Sequence, residues 1–146
     1  MKHYLKFCKI IGLFFLVVSC SSDSDLLIAD IKAVKKDHGV LNGAYIIINY
    51  DSCLPCVESV ESFMLKSLQE KSSINFILTG YPSQKYLLIK FGSTLKVKNL
   101  SYDLEEIFYK ERSLLKYPLY LEIIEDEIVK KVVLNPDFDL SEISNL

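Results

Sequence analysis

The chain has 146 residues, 50% hydrophobic and 25% charged, with 4 cysteines, 2 histidines and no tryptophan. Length and balance suit one ordinary globular domain with a short extra segment and leave no room for a second. A formal net charge of −2 excludes a binder of nucleic-acid phosphates, which needs a basic face to displace counterions, and no internal repeat or low-complexity run is present.

Residues 1–19 hold Lys2, Lys6 and Lys9 but no acid, and Ile10 to Val18 is an apolar stretch ending at Ser19 and Cys20. Basic, apolar and small residues in that order form a secretory signal. The apolar stretch is about half of the roughly 20 residues that a spanning helix requires, so cleavage is expected rather than a membrane span. Val17-Val-Ser-Cys20 resembles the lipobox of bacterial lipoproteins, which implies a lipid on Cys20 and the loss of Cys8 with the signal. Removing the three lysines takes the formal charge from −2 to −5. Ser21-Ser-Asp-Ser-Asp25 is a polar tether that reaches less than about 20 Å when fully extended. The serine after Cys20 and the acidic run behind it resemble lipoproteins sorted to the outer membrane, facing the periplasm or the cell surface. The expected organisation is therefore a signal peptide at 1–19, a lipidated cysteine and tether at 20–25, and one domain at 26–146.

Leu27, Ile31 and Val34 recur at helical spacing, with Lys32, Lys35 and Lys36 off that face and Gly39 placed to end the helix. Ala44 to Tyr50 is a continuous β-branched and aromatic run, as a central strand covered on both faces requires. Cys53-Leu-Pro-Cys56 follows directly. A helical pattern succeeds it, with Val57, Val60, Met64 and Leu68 on one face and Glu58, Glu61 and Lys66 off it; Pro55 suits its first turn. A second buried strand is expected over Ile74–Thr79, then a helix capped by Ser83 that runs to Phe91 before Gly92. Strand, helix and strand imply a parallel crossover. Asp103 with Glu106 forms a capping-box pattern opening a helix through Leu115. After Pro118, Leu119–Ile124, an acidic turn at Glu125-Asp-Glu127 and Ile128–Leu134 predict an antiparallel hairpin, with a short terminal helix from Asp139.

With Cys8 removed and Cys20 lipidated, the domain contains Cys53 and Cys56 alone, in an oxidising compartment. They suit a redox pair, a structural disulfide or half of a metal site. A four-coordinate zinc would need two more ligands, and the remaining histidine, His38, falls at the end of a surface helix.

A cysteine pair between a buried strand and a helix, a second parallel strand and a proline opening a terminal hairpin together resemble the thioredoxin superfamily over residues 26–146. The resemblance implies an α/β fold with a central mixed sheet flanked by helices. It also implies Cys53 as nucleophile, Cys56 as the resolving thiol, a redox disulfide between them, and a cis Tyr117–Pro118 bond against the pair, where the Tyr117 backbone meets an extended substrate. About sixty residues separate Cys56 from Pro118, and this spacing resembles anchored thioredoxin-like reductases. Cys53 at a helix N-terminus, among unpaired backbone amides and the positive dipole end, independently suits a thiolate.

Two positions depart from the family pattern. Ser52 stands where thioredoxins carry tryptophan, and Ile47 where they carry a buried acid, leaving Glu58, Asp51 and Tyr50 as the nearby proton carriers. The expected function is a membrane-tethered thiol-disulfide oxidoreductase working as a reductase, without cofactor or metal. Its expected partners are protein thiols or disulfides at the membrane surface and a membrane redox donor. A non-catalytic thioredoxin-fold binding lipoprotein and a copper-delivery protein using Cys53, Cys56 and His38 are the alternatives.

Overall fold

The structure is a computed structural model describing residues 23–92, 97–108 and 115–144. The segment read as signal peptide, with Cys8 and Cys20, lies outside these residues. Among the described residues no helix is long and apolar enough to cross a membrane.

The order of elements is α1 (Asp23–Lys35), β1 (Gly43–Asn49), α2 (Leu54–Gln69), β2 (Asn75–Thr79), α3 (Gln84–Phe91), β3 (Leu100–Tyr102), β4 (Leu119–Ile124), β5 (Glu127–Val133) and α4 (Ser141–Ser144). The five strands form one mixed sheet in the order β3-β2-β1-β4-β5. β1, β2 and β3 run parallel, and β4 and β5 are antiparallel to their neighbours. β1 at the centre reads as an unbroken apolar run because both its faces are covered. Ile46 and Ile48 join the core under α2, α3 and α4, whereas Tyr45 and Ile47 face α1 and Phe108. α1 thus covers the sheet face opposite α2, α3 and α4.

Several boundaries differ from expectation. α1 begins at Asp23, inside the stretch read as tether, because Asp23 and Asp25 fall in its first turn and favour the helix dipole. It ends at Lys36 rather than Gly39: Lys36 adopts φ 54, and the amides of Lys36 and Asp37 close on the carbonyls of Ala33 and Lys32. The Asp103 carboxylate does cap the segment after it, accepting from the amides of Ile107 and Phe108 at 2.8 and 2.9 Å. Glu106 is not the capping-box partner, since its φ of 56 puts it in the left-handed region. The rest of the helix expected through Leu115 lies largely outside the described residues. β3 was not anticipated. Its three residues carry no period of their own and are a strand only by pairing with Phe76–Leu78 of β2.

The β4–β5 turn is tight, with Ile124 opposite Glu127 and both central residues, Glu125 and Asp126, at positive φ. Neither is glycine, and the chain around them supplies the support. The Glu125 amide donates to Asn42 Oδ1 at 2.9 Å, and the Asp126 amide to the Leu41 carbonyl at 3.1 Å. The Asp126 carboxylate accepts from Lys32 Nζ and the Leu41 amide, both at 2.7 Å. Those bonds hold the Asp126 carboxyl below the usual aspartate value. A folded value below the unfolded one adds stability above about pH 4 that is lost as acid protonates the group. Asp126→Asn, which keeps the acceptor for Leu41 but drops the charge, is expected to melt earlier than wild type at pH 7. In unfolding curves that gap narrows as the pH is lowered below about 4; a gap that stays constant with pH contradicts the assignment.

Candidate functional site

The cysteine pair sits where β1 hands the chain to α2, at the carboxyl end of the parallel strands, the usual place for sites in open α/β sheets. Cys53 is the N-cap of the 16-residue α2, and Pro55 lies in its first turn as expected. Cys53 and Cys56 are joined as a disulfide with a Cα–Cα distance of 5.3 Å. The two sulfurs are not equivalent in access. Cys53 is half-buried at the rim, whereas Cys56 is 2% exposed. An incoming thiol therefore reaches Cys53 first.

The first turn of α2 limits what can stabilise a Cys53 thiolate. Pro55 has no N–H, the Val57 amide already bonds the Cys53 carbonyl at 3.0 Å, and the Cys53 amide donates to the Lys116 carbonyl at 3.2 Å. The helix end thus offers the amides of Leu54 and Cys56. Leu54, 64% exposed, presents an apolar surface beside the pair.

The segment before Pro118 does come to the cysteines, through the Cys53–Lys116 bond. Pro118 is buried and opens β4, and Tyr117 is 37% exposed. The cis bond implied by the resemblance is corrected: no peptide bond among the described residues is cis, so Tyr117–Pro118 is trans, the form X-Pro bonds prefer by about 0.5–1 kcal/mol.

Of the suggested proton carriers, Asp51 and Glu58 are exposed side chains. The Tyr50 hydroxyl donates to Glu61, and burial together with that bond raises its pKa above the ordinary phenol range. A phenol that holds its proton so tightly is a poor proton carrier. Ile47 is fully buried among apolar neighbours of the α1 face.

Glu61 was expected on the polar face of α2 and is instead 5% exposed. It accepts from Tyr50 and pairs with Lys90 of α3 at 2.6 Å, while Lys90 also donates to Tyr86 at 3.0 Å. A buried carboxylate is tolerated only with such partners. The network locks α3 to α2 and to the end of β1, and no local sequence pattern announces it, because Lys90 lies 29 residues from Glu61.

The second residue missed is Asn49, buried at the end of β1, whose side chain reaches both Asp51 and Leu115. A lone amide at the end of an apolar strand just before the cysteines was its only signal. Beside Asp51, a hollow of about 440 Å³ opens between Gly80–Gln84 and Asp103–Glu106. His38 lies apart, on a surface hollow it shares with Lys32 and Lys36 of the α1 region. Among the described residues no group of three or more histidine, cysteine or acidic side chains is arranged to hold a metal.

No family model, curated protein or solved structure matches the chain. Sheet, helices and disulfide define an α/β protein with a Cys-x-Pro-Cys disulfide at a strand-to-helix junction.

Proposed function

We propose that this chain is a thioredoxin-like thiol-disulfide oxidoreductase, working as a reductase and tethered to the bacterial envelope membrane by a lipid on Cys20. The observation that carries the reading is the accessible Cys53 at the N-cap of α2 with Cys56 buried behind it. The parallel β1–β2 pair around α2 and the proline that opens the β4–β5 hairpin support the family likeness.

In the reduced pair the Cys53 thiolate attacks one sulfur of a substrate disulfide. A Cys53–substrate bond forms, and the other substrate sulfur leaves as a thiolate. The Cys56 thiolate then attacks Cys53 and expels the second substrate thiolate. The substrate gains two electrons and, from water, two protons, while the pair becomes the disulfide. A redox donor in the membrane resets it. The first turn of α2, where Pro55 leaves few amides to stabilise a thiolate, supports that direction. A less stabilised reduced form makes a stronger reductant.

Exchange of the reduced chain with a disulfide-bonded polypeptide tests the reading. Wild type is expected to release two substrate thiols per reduced pair and Cys53→Ser to release none. Equal release by both contradicts the proposal. A binding scaffold that keeps the disulfide only for stability is the second reading, favoured by the apolar Ile47.

A further inference from the structure

Asn49 ends β1 and is 4% exposed, yet it has no part in the exchange steps above. Both ends of its side chain are occupied: Oδ1 accepts from the Asp51 amide at 3.0 Å, and Nδ2 donates to the Leu115 carbonyl at 3.2 Å. Its own carbonyl accepts from the Ser52 amide at 3.1 Å and the Ser52 hydroxyl at 2.5 Å. One residue thus shapes the turn that delivers Cys53 and straps it to the segment before Pro118. The Cys53 amide adds a parallel tie to Lys116.

The next strand is built around this side chain. A Cβ at Gly80 would fall 2.3 Å from Asn49 Oδ1, and Gly80 has φ +64, so a bare backbone is required there. The orientation of the amide is also fixed, since only its nitrogen can donate to a carbonyl and only its oxygen can accept from an amide. Leu115 has no other tie to the redox loop among the described residues.

We infer that Asn49 is a positioning residue for polypeptide substrates, holding the Leu115–Tyr117 backbone beside Cys53 as the seat for the chain that flanks the disulfide under attack. The inference rests on the oxidoreductase reading and names its substrate class, disulfides within polypeptides. Tyr117 has no backbone partner among the described residues and is free to pair with an extended segment, a form of strand addition. A small disulfide needs only the Cys53 sulfur. A polypeptide needs the sulfur and the seat.

The test compares the reduced full chain in detergent, as wild type, Asn49→Ala and Asn49→Asp, on insulin and on oxidised glutathione. Asn49→Asp keeps the shape and the acceptor for Asp51 but cannot donate to Leu115, which preserves a folded variant should the alanine form fail to fold. Any effect of the new charge on thiolate reactivity acts on both substrates, so the ratio of the second-order rate constants for a single oxidation of the reduced pair is read. In each folded variant that ratio, insulin over glutathione, is expected to fall about tenfold through weaker binding of insulin. An unchanged ratio, whether both rates drop together or neither moves, overturns the inference. Wild type inert toward both substrates overturns the oxidoreductase reading, and this inference with it.

Discussion

Cys56→Ser is expected to accumulate mixed disulfides between Cys53 and partner proteins in cells. With the resolving thiol gone, the bond formed by Cys53 attack has no internal nucleophile to break it. Cys56 is 2% exposed, so its replacement leaves the surface that a partner meets unchanged. The serine that replaces it leaves the half-buried Cys53 sulfur at the rim of α2. Non-reducing electrophoresis of membrane fractions should show dithiothreitol-sensitive adducts for Cys56→Ser and none for the Cys53→Ser, Cys56→Ser double variant. Adducts that persist in the double variant, or their absence from the single one, would run against a catalytic pair. Under the proposed lipid anchor on Cys20, only Ser21 and Ser22 would precede α1, which begins at Asp23, and partners would have to come to the membrane.

Ile47→Asp carries the second large effect. This is where the thioredoxin resemblance calls for a buried acid, so the substitution tests whether the chain can be returned to that pattern by one change. Ile47 is 0% exposed, on the sheet face covered by Leu27, Ile31 and Phe108. Large-to-small replacement at such a site costs about 2–5 kcal/mol in lost burial and cavity formation. An aspartate there adds a polar group among apolar neighbours, at roughly 1–3 kcal/mol more if unpaired, and takes up its proton to avoid a buried charge. The expected result is a loss of several kcal/mol in denaturant unfolding and no gain in exchange rate. A stable variant with faster exchange would show that the face beneath α1 can carry protons.

Much of the architecture is legible in the residue pattern because strong local signals agree with the global fold. Ala44–Tyr50 and Ile74–Thr79 are continuous apolar runs and become the neighbouring parallel strands β1 and β2. Leu119–Ile124 is found as expected, and Ser83 caps α3 by accepting from the Tyr86 amide. The departures come where tertiary contacts decide. Leu100–Tyr102 is a strand only because β2 offers an edge, and Lys36 takes the left-handed cap that a glycine three residues later was expected to supply. At the site, Cys53 and Cys56 are legible from spacing alone. Glu61 and Asn49 are not, because their partners Lys90 and Leu115 are distant in sequence and a polar residue on a helix or at a strand end is ordinarily exposed.

The central claim, that Cys53 and Cys56 form a reactive pair rather than a structural staple, is tested most directly by the reduction potential and thiol-labelling rate of the purified domain from Ser21 onward. The account predicts rapid equilibration with a small dithiol, a potential above about −300 mV, and alkylation of Cys53 ahead of Cys56 on reduction. A potential below about −300 mV, with no measurable exchange under native conditions, would contradict it and leave the disulfide a fixture of the fold.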